Sequence, residues 1–492
     1  MVRADRRGRA RRPNLILAVL ATCGTVTSLQ QTTIIPLVPQ LPELLGTTPA
    51  GASWMVTVVL LSGAVATPVV TRLADTYGKR RLIVASLAVM VVGSAVGAFA
   101  DTLTVGIVAR ALQGVGVALV PVAIGAMRDE LPAEKVPLGV AVMSATLAVG
   151  AGAGLPVSGV IVAHLGWHAI FWVTGVAGLL VLVAVPLALG PSRPGTARGF
   201  DVPGTLLLSA GLVGVLLALT QGAGWGWGSP ATIACATGGL VLLVLLIPVQ
   251  LRVRTPLVDV RVARRPAILL VNLTALLLGF AMFVNLLISA QLLQLPVETG
   301  YGLGFGSAAA GVWLAPGAIA FGFMAPLAAT IIRRIGAGAA LFIGSAEMCA
   351  AYAWRAFFSH ELWQIVTGSM LVTIGTSLAY AAMPVLLIGS VPAGETSSAN
   401  GLNTLLRSIG TAGSSAAAAA ITSAALLQVN GVAHPSFGGF MTVFAMAAGA
   451  AGAAAVVAAF RWWIRSAAPV DAAAATTSRP PEPALRAGPT RS

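Results

Sequence analysis

Charge is what this chain has least of. Aspartate, glutamate, lysine and arginine make up 9% of its 492 residues, against about a quarter in an ordinary soluble domain, and apolar residues make up 57%. A soluble globular protein is thereby excluded, and a polytopic membrane protein is left. Lysine occurs only at Lys79 and Lys135, and the three cysteines, Cys23, Cys235 and Cys349, all fall inside apolar runs. That placement suits reduced, buried thiols better than a disulfide framework or a metal site, so no cofactor and no metal is expected. The chain has no G-x-x-x-x-G-K-[ST] loop, which argues against ATP-driven pumping, and no constellation that reads as an enzyme active site. Its net charge of +14 is spread over short connections and tails, not gathered on one face, so nucleic acid is not an expected partner.

What the chain does have is length in apolar runs. A helical crossing takes about 20 apolar residues, and fourteen such runs can be marked: 14–38, 53–71, 82–100, 103–127, 137–163, 168–190, 203–220, 231–250, 267–293, 307–331, 338–356, 361–388, 398–427 and 438–460. Arg3, Arg6, Arg7, Arg9, Arg11 and Arg12 precede the first run, which is longer than the core of a cleavable signal peptide and is read as a retained helix with its amino end inside. Basic residues then fall in the inner connections at 72–81, 128–135, 193–198, 252–265 and 333–334 and after Arg461, with Arg355 the one clear outer exception. This asymmetry is the positive-inside pattern. It places both termini in the cytoplasm, and the excess of arginine, alanine and glycine points to a bacterial inner membrane. The Ala-, Pro-, Thr- and Arg-rich tail at 461–492 is expected to be disordered from Ala467 onward.

The densest charge lies between the second and third runs, in TRLADTYGKRRLI, Thr71 to Ile83. Retention of positive charge would not require Asp75 or Gly78. Asp75 offers a carboxylate to a helix amino end or a cation, and Gly78 permits a tight turn at positive φ. A second copy of the pattern is visible: Thr67-Pro68 followed by Gly78 is matched by Ala325-Pro326 followed by Gly336 at the same spacing, with Arg333-Arg334 in the charged turn and no acid. Duplicated bundles leave such weak self-similarity.

This stretch resembles the loop between helices 2 and 3 of the major facilitator superfamily, G-x-L-a-D-r-x-G-r-k. Leu73, Ala74, Asp75, Gly78, Lys79 and Arg80 match it, while Thr71 replaces the glycine and Thr76 the arginine. The resemblance implies an all-α membrane protein of two six-helix bundles, 14–190 and 267–460, joined by an inserted helix pair at 191–266, after a basic amino terminus at 1–13. That layout is similar to the fourteen-helix drug:proton antiporter branch. It also implies a gating loop of Asp75, Gly78, Lys79 and Arg80, in which Asp75 docks against the start of the thirteenth span near Asn400, Asn403 and Arg407. Taken from the residues alone, Arg407 reads more readily as an ordinary cytoplasmic anchor.

Further candidates follow span by span. Arg110 in the fourth span costs at least ~2.5 to 3.5 kcal/mol to insert and needs a cavity or a partner, unless it snorkels outward. Arg110, Gln113 and Gly114 share a face, and R-x-x-Q-G resembles the family's fourth-helix motif, associated with proton transfer. An arginine keeps its proton, so Arg110 would orient another group. The family's first-helix acid is missing: Leu29, Gln30, Gln31 and Thr32 stand in its place. Glu347 is the one acid near the middle of a span and the best proton carrier by chemistry, though by analogy its helix is peripheral. A structural hydrogen bond there is an equal reading.

In the fifth span Gly150, Gly154, Pro156 and Gly159 resemble the antiporter motif, with Leu155 and Ser158 departing from it; a plain packing seam is the alternative. The analogy makes the first, fourth, ninth and twelfth spans line the cavity. It nominates Thr27, Gln30, Gln31, Asn285, Ser289, Thr373, Ser377 and Tyr380, unless these only bond helix to helix. Such a cavity is largely neutral and suits a neutral or weakly anionic amphiphile. The expected protein is a monomeric transporter in the bilayer, exchanging a small-molecule substrate for protons. A facilitator or importer without antiport, and a non-transporting membrane sensor, are the alternatives.

Overall fold

The computed structural model describes residues 13–34, 37, 41–47, 49–191, 201–253, 256–392 and 395–466. The arginines ahead of residue 13, the connection at 193–198 and the tail from 467 lie outside the described residues. The long helices, numbered in order, are α1 (Pro13–Thr32), α2 (Pro49–Tyr77), α3 (Lys79–Gly97), α4 (Leu103–Glu130, interrupted by a 3-10 turn at Val115–Ala118), α5 (Val136–Leu165), α6 (Ala169–Ala188) and α7 (Val202–Trp225). After them come α8 (Pro230–Arg252), α9 (Pro266–Gln294), α10 (Ser307–Ile335), α11 (Ala337–Phe357), α12 (Leu362–Ile388), α13 (Thr396–Ala424) and α14 (Phe437–Ser466). A short antiparallel hairpin, β1 (Leu426–Val429) and β2 (Val432–Pro435), joins the last two.

Among the described residues ten helices are long and apolar enough to cross a membrane, or eleven if α10, bent by 45° ahead of Pro326, is one span. Apolarity alone therefore falls short of the fourteen expected crossings. Helix α13 is built largely of Ala, Gly, Ser and Thr, and α11 carries Glu347 and Arg355. Both pack mainly against protein, where small residues allow close approach and a fully apolar surface is not required.

Two apolar cores form within the two ends of the sequence. Leu20, Ile83, Met90, Leu119, Met127 and Val181 belong to one, and Leu278, Ile288, Phe321, Tyr352, Val372 and Phe444 to the other. A third cluster, including Leu61, Leu212, Leu246 and Leu405, seats α7 and α8 against α2 and α13. The two ends also meet where α5 packs on α10 and α2 on α13.

The charged stretch after residue 71 is not a loop. Helix α2 continues to Tyr77 and α3 begins at Lys79, so the connection is Gly78 alone, with φ 106°. A side chain there would be strained, and the left-handed backbone is what ends the helix. Gly336 separates α10 from α11 in the same way, with φ 84°, and Pro68 and Pro326 lie inside the preceding helices. The sequence repeat is thus also a repeat of backbone geometry.

Candidate functional site

At the end of the molecule that holds Gly78, two charged side chains, Asp75 and Arg128, reach from one core to the other, with Lys79 beside them. Asp75 projects from the last turn of α2 and accepts from the backbone N–H of Ser397 (3.3 Å) and of Ser398 (2.8 Å), and from the Ser398 hydroxyl (2.8 Å). Those N–H groups belong to the first turn of α13, where Glu395 at the cap position makes no side-chain hydrogen bond. Asp75 is therefore a helix cap supplied from another helix, its charge aligned with the positive end of the α13 dipole. Its side chain is 2% exposed.

Lys79 lies between this carboxylate (3.9 Å) and Asp129 of α4 (2.6 Å). Arg128, next to Asp129, donates to the carbonyls of Val391 and Pro392 at 3.2 and 3.3 Å and to the Thr396 hydroxyl. Arg80 instead donates to the Pro186 carbonyl at 3.1 Å, at the end of α6. Of the expected gating residues, then, Asp75 and Lys79 meet at the contact with α13, Gly78 shapes the turn, and Arg80 ties α3 to α6. Arg128 escaped the sequence analysis because a basic residue at a helix end reads as a retention signal.

Deeper in, a cavity of about 210 Å³ lies between α1, α2, α4, α7, α9, α12 and α13. Gln31 and Tyr380 line it. The other nominated residues are not in its lining, and they bond elsewhere: Thr27 donates to Cys23, Gln30 to Ser94, Asn285 to Ser369, Ser289 to Asn285, Thr373 to Ser369 and Ser377 to Phe321. Each is committed within or between helices. The residues that do line it include Ser28 and Thr32 of α1, Thr220 of α7, and Thr404 and Arg407 of α13. Arg407 stands eleven residues into α13, about 16 Å from its start, and stacks over the Tyr380 ring at 4.9 Å. It is neither an anchor nor part of the α13 amino end.

Arg110 is 2% exposed and pairs with no carboxylate among the described residues. Its Nε donates to the Met55 carbonyl (3.0 Å), its Nη1 to the Gln30 carbonyl (2.8 Å) and Gln113 Oε1 (2.9 Å), and its Nη2 to the Gln31 carbonyl (3.5 Å). Gln30 and Gln31 form the last turn of α1, so the guanidinium caps that helix's carboxyl end, where carbonyls and dipole offer negative potential. The Gln113 amide donates to Ser94 at 3.0 Å. Gly114 belongs to another contact, packed on Val59 and Ser62 of α2.

Glu347 does not line the cavity. It packs over Gly375 of α12, and its Oε2 is buried with no hydrogen-bond partner among the described residues. Arg355, assigned above to an outer connection, is instead fully buried on α11, bonded to Asn285 and stacked on Phe444 at 4.4 Å. A cation two residues from the end of its helix reads as a surface residue in the sequence, and only tertiary packing buries it.

In α5, a Cβ at Gly150 or Gly154 would collide with Ser28 or Thr32 of α1, and the Thr32 hydroxyl donates to the Gly150 carbonyl at 2.9 Å. These two positions require glycine because the backbones touch. Pro156 and Gly159 lie on the same helix, but beyond their place in it they fall outside the described residues.

Comparison with known proteins adds three findings. The sequence profile described as Major Facilitator Superfamily matches residues 20–415. Multidrug resistance protein Stp of Mycobacterium tuberculosis is 27% identical over 73% of this chain and 66% of its own length, just short of two thirds. The tetracenomycin C resistance and export protein of Streptomyces glaucescens is 25% identical over 81% of this chain and 74% of its own. Among solved structures, that of the human organic anion transporter MFSD10 (TETRAN) superposes with a TM-score of 0.66 at 14% identity, covering 91% of this chain and 99% of the other. At that identity the likeness concerns the fold.

Proposed function

The chain belongs to the Major Facilitator Superfamily, and on that footing we propose that it exports an amphiphilic small molecule from the cytoplasm in exchange for protons. All fourteen long helices cross the membrane in this reading, α1–α6 and α9–α14 forming two lobes and α7–α8 the inserted pair, with both termini cytoplasmic. The resistance and export roles that its relatives are named for support the direction. The observation that carries the mechanism is the Asp75 cap on α13, because it holds one lobe to the other at one end of a cavity that both lobes line.

Alternating access then has a physical description. With Asp75, Lys79 and Arg128 engaged, the cytoplasmic end is shut. Releasing Asp75 leaves the first turn of α13 uncapped, at a cost of about 0.5–2 kcal/mol, small enough to be offset by a bound substrate. Glu347 is the proposed proton carrier, a carboxyl group whose Oε2 is buried against Gly375. It acts on the cavity through α12, which carries both Gly375 beneath it and Tyr380 in the cavity wall.

One observation favours a facilitator instead: no carboxylate is among the described residues lining the cavity, and Arg110 is satisfied by carbonyls. Substrate flux in inverted vesicles with an imposed pH gradient separates the readings. Proton antiport predicts uptake that follows the gradient, whereas uptake indifferent to it leaves the facilitator.

A further inference from the structure

We infer that the central cavity selects an anionic amphiphile, and that Arg407 is the group that receives its carboxylate, sulfonate or phosphate monoester. This rests on the reading of that cavity as the substrate site. Arg407 is the one charged side chain among the described residues lining the cavity. Around it stand apolar walls from Leu60, Leu61 and Val117 and neutral hydroxyls from Thr404, Ser408 and Thr411.

The geometry leaves the guanidinium free to act. Arg407 Cζ lies over the Tyr380 ring, 4.9 Å from its centroid, a cation–π contact that leaves N–H donors of the guanidinium fork for a ligand. Tyr380 is itself held, its hydroxyl 3.4 Å from Met282 Sδ, and the ring is 3% exposed. The ring therefore holds the cation in place at the cavity wall. Among the described residues no side chain or carbonyl accepts a hydrogen bond from Arg407, in contrast to Arg110, whose guanidinium makes four.

A cation sunk about 16 Å along its helix is costly unless it faces water or an anion. A planar fork of donors matches an oxyanion with two coplanar oxygens, which it holds bidentately. The opposite wall contributes no negative charge to compete. A cationic amphiphile would meet like charge in a confined site of low polarity, so the cavity discriminates against it.

The test uses full-length protein in lipid nanodiscs and a matched pair of probes, a dansyl sulfonate and the neutral dansyl sulfonamide of the same ring system. Wild type is expected to bind the sulfonate more tightly. Arg407→Gln is expected to weaken sulfonate binding about tenfold or more while changing sulfonamide binding less than about twofold, and Arg407→Lys, which keeps charge without the fork, to fall between. Retained sulfonamide binding shows that the variants are folded. Equal wild-type binding of the two probes, binding of neither, or equal losses for both in Arg407→Gln overturns the inference. Leu61→Trp, which fills the cavity, separates its failure from that of the site: if Leu61→Trp abolishes binding of both probes while Arg407→Gln shows no preference, only the anion assignment falls. If Leu61→Trp leaves binding intact, the cavity is not the substrate site.

Discussion

Asp75 caps a helix that begins more than three hundred residues later: its carboxylate accepts from the Ser398 backbone N–H and hydroxyl, both at 2.8 Å. A helix amino end has unsatisfied donors that must find acceptors. Here the acceptor is lent by α2, so the stability of α13's first turn depends on how the two lobes are arranged.

Asp75→Asn keeps the side chain's shape and one acceptor oxygen but removes the charge. Transport is expected to fall about tenfold, in line with a cap worth ~1 kcal/mol or somewhat more, while the amount of protein in the membrane stays at the wild-type level. Flux per molecule, normalised by immunoblot, measures it, and wild-type flux would remove the gating role.

Arg128 and Asp75 grip the same short stretch, Val391 to Ser398. Arg128→Ala and Asp75→Asn are therefore expected to be non-additive, with an interaction of about 0.5–3 kcal/mol in a double-mutant cycle on transport rate. Strict additivity would mean that the two contacts open independently.

The reach of the sequence is uneven, and the structure shows why. Asp75, Gly78 and the second copy at Gly336 were legible because special backbone and lone charges stand out in an apolar chain. The polar stripes were not: Thr27, Asn285, Ser289, Thr373 and Ser377 have the right spacing, but hydroxyls and amides in lipid-embedded helices find carbonyls or neighbouring helices first. Arg407 and Arg355 were misplaced although the expected spans contain both, because a cation toward the end of an apolar run reads as an anchor until tertiary packing shows what surrounds it. The role of α7, whose Leu216 and Thr220 reach the cavity, depends on tertiary packing that no local pattern encodes.

Removing Arg110 leaves the carbonyls of Met55 and Gln30 buried without their donor. Arg110→Met is expected to lower thermal stability in detergent by about 1–3 kcal/mol, the cost of leaving buried acceptors without their donor. Arg110→Lys recovers only part, because an ammonium cannot span Met55, Gln30 and Gln113 together. Thermal unfolding of the purified variants reads this out, and a fully stable Arg110→Met would contradict the capping role.

Gly154→Val forces α1 away from α5 at Thr32. Overpacking of this kind costs ~1–3 kcal/mol, so a lower unfolding temperature is expected together with slower transport. An exposed control, Gly449→Val on α14, where a Cβ meets nothing, should change neither.

Glu347→Gln preserves size and loses the titratable proton. Downhill substrate flux is expected to persist while acceleration by an imposed pH gradient disappears. A variant that still follows the gradient would assign proton coupling elsewhere.

The central claim is that the two lobes part at the Asp75 contact. Spin labels at Tyr77 and Gly389, on a background with Cys23, Cys235 and Cys349 replaced, report the separation directly by pulsed electron resonance in nanodiscs. The account predicts one short distance in the resting protein and a second, longer population in Asp75→Asn. Identical distance distributions in the two proteins would contradict it.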